Sequence, residues 1–442
     1  MRLFENELRS IEGIFETKGQ VYESFEKGGR FGGFDSLPGS SSRTKVFSST
    51  RDMKTVLLAD KNMVPANIED QLTKLFGVLP WRSHSAILGP HPDFKHLLHN
   101  QYENHYAVSM FADIKGSTRL SAKYPLPQVR LMKDAILSLA IYICNFFGGH
   151  IQRLQGDGIF VYFVGRDVHR NDAVISALNA ASVLAQFIST DLASSFRAME
   201  IDPLRIRMGI DYGDDDTVLW SHYGIPNCSE LTTTSLHTDL AAKLQAEAPS
   251  NGIMIGNNIK DKLDLPSNYL RVPTVYDSSS GSYKAVADPY IFQGPPKYRY
   301  WEFDWHTYLK TFDFMIKDSN GKDLKIEEPS VRIKCEYTFN EQTKIYPQNL
   351  FSIPKGGTLN FTLVNQYGNP YIKAQNENIS WEVTNTGAEA AAKQDLKHNL
   401  QGHYDNGVKA TANTAYLGHH QIQCKIVRYN GNVYARHFVF VQ

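Results

Sequence analysis

Between residues 105 and 265 the chain alternates strand-like and helix-like runs in the order βαββαββαβ. This alternation constrains the fold more than any other feature. His105-Tyr106-Ala107-Val108-Ser109-Met110 reads as a buried strand that continues to Ile114. After a break at Pro125 and Pro127, the spacing of Leu131, Ala135, Leu139 and Tyr142 predicts a helix over 128–147, ended by Gly148-Gly149. His150–Leu154 and Ile159–Phe163 form a hairpin around a short Gly-Asp turn. A helix over 172–187, a strand over 204–210, a turn at 213–216 and a returning strand over 217–220 follow. A third helix covers 236–246 and a last strand 252–255. The result is an α+β sheet with a ferredoxin-like start.

The flanks read differently. Residues 1–104 form a partly helical extension, with a helix from Leu3 to about Ser24 and a Gly/Ser-rich stretch from Lys27 to Ser42. That stretch reads as a connector, because no Lys-Ser/Thr follows its glycines at phosphate-loop spacing. His91, His96, His99 and His105 are interleaved with Phe94, Leu97 and Leu98, as on an ordinary amphipathic helix rather than a metal site. Residues 266–310 read as a linker rich in Ser, Gly, Pro and aromatics. From 311 to 442, short alternating runs separated by Gly/Asn/Pro turns predict an all-β, immunoglobulin-like sandwich.

The composition excludes several classes of function. The 46 basic and 46 acidic residues cancel, so no global field points to nucleic acid. Four widely spaced cysteines form neither a CxxC zinc motif nor a disulfide framework. The first residues lack an apolar signal core, and the longest apolar run, 135–147, is too short to span a bilayer. These features predict a cytoplasmic protein with no membrane span.

The chemistry concentrates at two strand ends. Phe111-Ala112-Asp113-Ile114-Lys115-Gly116-Ser117-Thr118 takes a strand into a small-residue turn. Gln155-Gly156-Asp157-Gly158 lies at the tip of the next hairpin. In neighbouring strands Asp113 and Asp157 converge at one sheet end. With the Ile114 carbonyl they offer hard oxygen ligands for two Mg²⁺ or Mn²⁺ ions, a set suited to in-line displacement at phosphorus. The Lys115-Gly116-Ser117-Thr118 turn would hold a triphosphate through its backbone N–H groups. Asp214-Asp215-Asp216 reads as a solvated turn rather than a further ligand set.

Phe-Ala-Asp-Ile-Lys-Gly-Ser-Thr, Leu-Gln-Gly-Asp-Gly, Arg-Met-Gly-Ile-Asp-Tyr-Gly and Leu-Ala-Ala-Lys-Leu, in this order, resemble the class III nucleotidyl cyclase domain over residues 105–265. The resemblance implies a homodimer with active sites at its interface. One subunit supplies the metal aspartates Asp113 and Asp157, and the other adds residues of the third helix. It implies attack of a ribose 3′-OH on the α-phosphate, releasing pyrophosphate and a 3′,5′-cyclic nucleotide. Against the family pattern, Arg153 stands where adenylate cyclases carry a base-reading Lys. Thr232 falls at the second base-reading place, Asp239 where Asn is usual, and Lys243 where Arg is usual. Together with the long N-terminal segment and the C-terminal sandwich, these departures are similar to the pyrimidine cyclases of Pycsar anti-phage systems. In those, CTP or UTP becomes cCMP or cUMP, which activates a separate effector protein. The last domain looks like the adenylyl/guanylyl and SMODS C-terminal sensor type, which implies a sensed phage component. An adenylate or guanylate cyclase with atypical base readers, or a catalytically silent nucleotide-binding regulator, are the alternatives.

Overall fold

The computed structural model describes residues 68–81, 86–292, 297–317, 324–400 and 403–442. The helix expected over Leu3–Ser24 and the Gly/Ser-rich connector lie outside these residues. In chain order the first half runs α1 (Ile68–Phe76), β1 (Tyr102–Asn104), β2 (Ala107–Ile114), α2 (Leu126–Phe146), β3 (Gly149–Gln155) and β4 (Gly158–Phe163). Then come α3 (Arg170–Phe187), β5 (Ile206–Gly213), β6 (Leu219–Ile225), β7 (Cys228–Thr234), α4 (Leu236–Glu247) and β8 (Gly252–Gly256). The half closes with α5 (Asn257–Leu263), β9 (Leu270–Arg271), β10 (Thr274–Asp277), β11 (Ser282–Ala285) and β12 (Tyr300–Phe303).

The principal sheet has the order β3-β4-β2-β5-β8-β12-β9. Its first four strands pair antiparallel. They follow the ferredoxin-like arrangement that the sequence rhythm predicts, and β8 joins parallel to β5. Side chains alternate across the sheet. Met110, Ala112, Met208 and Ile210 belong to the core on the α3 side. Ser109, Phe111, Asp113, Arg207, Gly209 and Asp211 therefore share the opposite face, which α4 covers. A Cβ on Gly209 would stand 2.2 Å from the Ala241 carbonyl oxygen and the Gln245 nitrogen, so α4 lies directly on the strand backbone.

Three sequence expectations are corrected here. The segment 266–310 is no linker: β12 pairs with β8 and β9 pairs with β12, extending the principal sheet by two strands. The described part of the N-terminal extension is likewise built into the core. Phe76 of α1 makes edge contacts with Phe146, Phe147, Phe312 and Phe314. The four-histidine stretch forms a short 3-10 turn at Pro92–Phe94 rather than an amphipathic helix, because Pro90 and Pro92 interrupt it. Desolvation lowers buried His91 to a pKa of about 3, so it is neutral at pH 7.

The C-terminal part consists of two five-stranded sheets facing one another. Between them lie Phe361, Trp381, Ile422, Cys424 and Val439. The long helical run Arg170–Ala198 is apolar and long enough to cross a membrane, but 89% of its most apolar 18-residue stretch is buried here. It is apolar all round because it lies between two layers: the sheet on one side and the sandwich on the other. Asn179 donates to the Asn349 carbonyl and Gln186 to that of Leu324. The Ser352 backbone N–H and hydroxyl both donate to Asp172.

Burial pushes Asp172 up to a pKa of about 6, against the opposing pull of the Ser352 donors. A carboxyl raised on folding contributes stability that is present below its unfolded pKa and is lost as pH rises through 6. Lowering the pH from 7 to 5 should therefore raise the melting temperature through this group, with about 3 kcal/mol at stake over its whole range and roughly half of that between pH 7 and 5. Melting curves of wild type and Asp172→Asn across that range check it, because the variant should lack this component.

Candidate active site

Asp113 stands next to the end of β2, and Asp157 lies in the β3–β4 turn beside it. The register pairing Ala112 with Ile159 brings the two carboxylates together. Burial, and then the neighbouring Asp157, push the Asp113 carboxyl above the usual range, while Arg207 opposes them. Arg207 faces Asp113 across β5, with Nη2 donating to Oδ2 at 2.9 Å. Lys133 of α2 donates to Asp157 Oδ1 at 3.4 Å. Asp157 Oδ2 is buried with no hydrogen-bond partner among the described residues. An orphaned carboxylate oxygen beside a second carboxylate is a donor set that fits a hard divalent cation. Ile114, the last residue of β2, is buried and next in the chain to Asp113, so its carbonyl belongs to the same strand end.

The turn after β2 takes the shape that its sequence predicts. Gly116 has φ +76°, a left-handed conformation that costs glycine little, and a 3-10 turn starts at Ser117. Ser117 is buried, whereas Lys115, Gly116 and Thr118 are open. Burial and the adjacent Arg207 and Arg205 lower the Lys115 pKa. The side chain thus projects from a locally cationic rim.

Arg153 and Thr232 are brought to one region. The β3–β4 register shifts between Ile151 and Arg153. This bulge turns both Gln152 and Arg153 toward β7. Arg153 grips Glu230 with two donors, Nε to Oε1 at 3.0 Å and Nη2 to Oε2. Gln152 Nε2 donates to the same Oε1 at 3.0 Å and to the Leu231 carbonyl. Thr232 Oγ1 lies 3.0 Å from the Tyr162 hydroxyl.

Asp239 and Lys243 are not gathered with the aspartate pair. Both are exposed, one turn apart on the outer face of α4, and Lys243 Nζ sits 4.7 Å from the Phe292 ring centroid. Ser235 caps α4 by accepting from the His237 N–H. Fully buried Asp211 fixes the same end: its carboxylate meets His237 Nδ1 at 3.0 Å and accepts from the Tyr298 hydroxyl at 2.7 Å. The Asp214–Asp216 turn is not merely solvated, since Arg170 bridges Asp214 and Asp215 and Lys262 lies 3.7 Å from Asp214.

Arg207, Lys133, Glu230 and Gln152 are the residues that sequence reasoning missed. Only the alternation of β5 relative to β2 could have pointed to Arg207. The other three depend on long-range packing.

A ferredoxin-like sheet with one acid at the end of its first strand, and a second at the adjoining hairpin tip, defines a class III nucleotidyl cyclase domain. The family model of the adenylyl/guanylyl and SMODS C-terminal sensor domain matches residues 305–442. A cytidylate cyclase of Staphylococcus aureus is 36% identical over 353 residues, covering 79% of this chain and 81% of that protein. A cytidylate cyclase of Escherichia coli is 31% identical over 376 residues, covering 80% and 75% respectively. Among solved structures, the adenylyl cyclase CyaB from P. aeruginosa aligns with a TM-score of 0.38 at 18% identity, over 46% of this chain and 95% of that one. The chain belongs to the cytidylate cyclase family.

Proposed function

We propose that this chain is a pyrimidine nucleotide cyclase that converts CTP, or UTP, to the 3′,5′-cyclic monophosphate and pyrophosphate. The 3′-oxygen bonds to the α-phosphorus as the bond to the β-phosphate bridging oxygen breaks, and the 3′-hydroxyl proton is lost to solvent. The observation that carries this reading is the convergence of Asp113 with Asp157, whose Oδ2 is buried and unpartnered among the described residues. It is supported by the relatives of 31–36% identity, both cytidylate cyclases. Asp113, Asp157 and the Ile114 carbonyl would hold two Mg²⁺ or Mn²⁺ ions, which when bound supply Lewis acidity at the 3′-oxygen and counter the phosphate charge.

The remaining work falls to the protein. The Lys115–Thr118 turn binds the triphosphate, with Lys115 as its cation. Asp239 and Lys243 project away from their own sheet, which suits completion of a partner protomer's site in a homodimer. There Lys243 stabilises developing phosphate charge as a point cation. Arg153 and Thr232 read the base.

Residues 305–442 act as a sensor of immunoglobulin-like architecture that answers to a phage component. The product then serves as a second messenger to a separate effector, all within the cytoplasm. The buried contacts of Asp172 and Asn179 with Ser352 and Asn349 support such control, because they tie the sandwich to α3. Incubating the purified chain with each of the four nucleoside triphosphates and Mn²⁺ tests the reading. A cyclic pyrimidine nucleotide with one pyrophosphate per turnover is expected. Product from ATP or GTP alone would overturn it in favour of a purine cyclase.

A further inference from the structure

We infer that Glu230, held against Arg153, selects cytosine over uracil; this rests on the pyrimidine cyclase reading above. Arg153 and Glu230 are both partly exposed, at 45% and 37%, so their outer edge is open to a ligand. Their inner contacts fix the order of the groups on that edge. Glu230 Oε1 is occupied by Arg153 Nε and by Gln152 Nε2, and Glu230 Oε2 lies against Arg153 Nη2. Among the described residues, Arg153 Nη1 has no hydrogen-bond partner. Read along the edge, the pair offers an acceptor (Oε2), a donor (Nη2) and a donor (Nη1).

Cytosine presents the complement on its pairing edge: the N4 amino donor, then the N3 and O2 acceptors. Uracil presents O4 as an acceptor, N3–H as a donor and O2 as an acceptor. It would therefore set O4 against the carboxylate and N3–H against a guanidinium N–H. Guanine fails in the same two places and also sets its N2 amino donor against the third. Adenine matches the first two positions and lacks an acceptor for the third.

The construction of the pair supports this role. An exposed Arg–Glu pair contributes little to stability, with a median near zero to about 1 kcal/mol. Yet this one is oriented from below by Gln152, whose side chain is buried and bonded to both Glu230 and the Leu231 carbonyl. The β3 bulge is what allows neighbours 152 and 153 to reach the same carboxylate. Arg153 also lies only four residues before Asp157, and Glu230 only two before Thr232. The edge thus belongs to the strands that carry the proposed site.

The test is the ratio of kcat/KM for CTP to that for UTP, measured in wild type and in Glu230→Gln. An amide can turn its NH₂ toward uracil O4, so the ratio should fall by roughly tenfold or more in the variant, as mispairing a bidentate contact predicts. The ratio does not depend on the fraction of active protein, so a merely structural role would lower both rates together and leave it unchanged. An unchanged ratio overturns the assignment of Glu230 while leaving the cyclase reading intact. Absence of cyclic pyrimidine product from wild type would instead overturn that reading itself.

Discussion

Asp157→Asn should abolish cyclic nucleotide formation while leaving the fold at least as stable as wild type. The two expectations come from one geometry. Asp157 crowds Asp113 in a partly desolvated strand end and helps to push the Asp113 carboxyl up. Removing one of two like charges relieves that repulsion, so the melting temperature should hold or rise. The same change removes an anionic oxygen ligand. Loss of groups that only orient a metal ligand already costs about 10- to 100-fold, so turnover should fall by more than that. Product assay and thermal melting of the same preparation check both parts. An inactive variant that also melts early would indicate misfolding instead. The Lys133 ammonium, which contacts Asp157 Oδ1, keeps a neutral acceptor in the amide.

Mixing two inactive variants should restore activity. Asp157→Asn removes a group on the hairpin, and Lys243→Ala removes one on the outer face of α4. If each active site draws the hairpin from one protomer and α4 from the other, a mixed dimer has one intact site and one doubly damaged site. Half the dimers in an equal mixture are mixed, so about a quarter of wild-type activity should return. If both groups act in the same protomer's site, each mixed dimer carries one lesion in each site and no activity returns. A second mixture, wild type with the Asp157→Asn/Lys243→Ala double variant, gives the converse pattern, since unshared sites would leave the wild-type protomer's site intact. With sites shared between protomers, its mixed dimers carry one lesion in each site and are inactive. Steady-state rates of the two mixtures, after subunit exchange, give the answer.

Much of this architecture was legible in the chain itself. The hairpin around Asp157 follows from a Gly-Asp-Gly turn between two apolar runs, which is local chemistry. The three helices follow from apolar spacing, and the predicted bounds lie within about two residues of those observed, as helix ends commonly do. The strands β9 and β12 were not legible. They are two and four residues long, and only the free edge of β8 gives them a role. Proline positions made the stretch around His91 a turn where side-chain spacing suggested a helix.

The site divides in the same way. Asp113 and Asp157 announce themselves through their turns. Arg207, Lys133 and Glu230 do not, because their contacts span 94, 24 and 77 residues. Glu230 is also an ordinary outward glutamate on an edge hairpin until the β3 bulge brings Arg153 and Gln152 to it.

The most direct measurement of the central claim is a competition. Wild-type chain, Mn²⁺ and equal concentrations of ATP, GTP, CTP and UTP are combined, and the cyclic products are resolved by mass. The account predicts cCMP as the main product, with cUMP below it and with no cyclic nucleotide formed in parallel by Asp157→Asn. Cyclic AMP or cyclic GMP as the main product would contradict it, as would the same products from the Asp157→Asn chain.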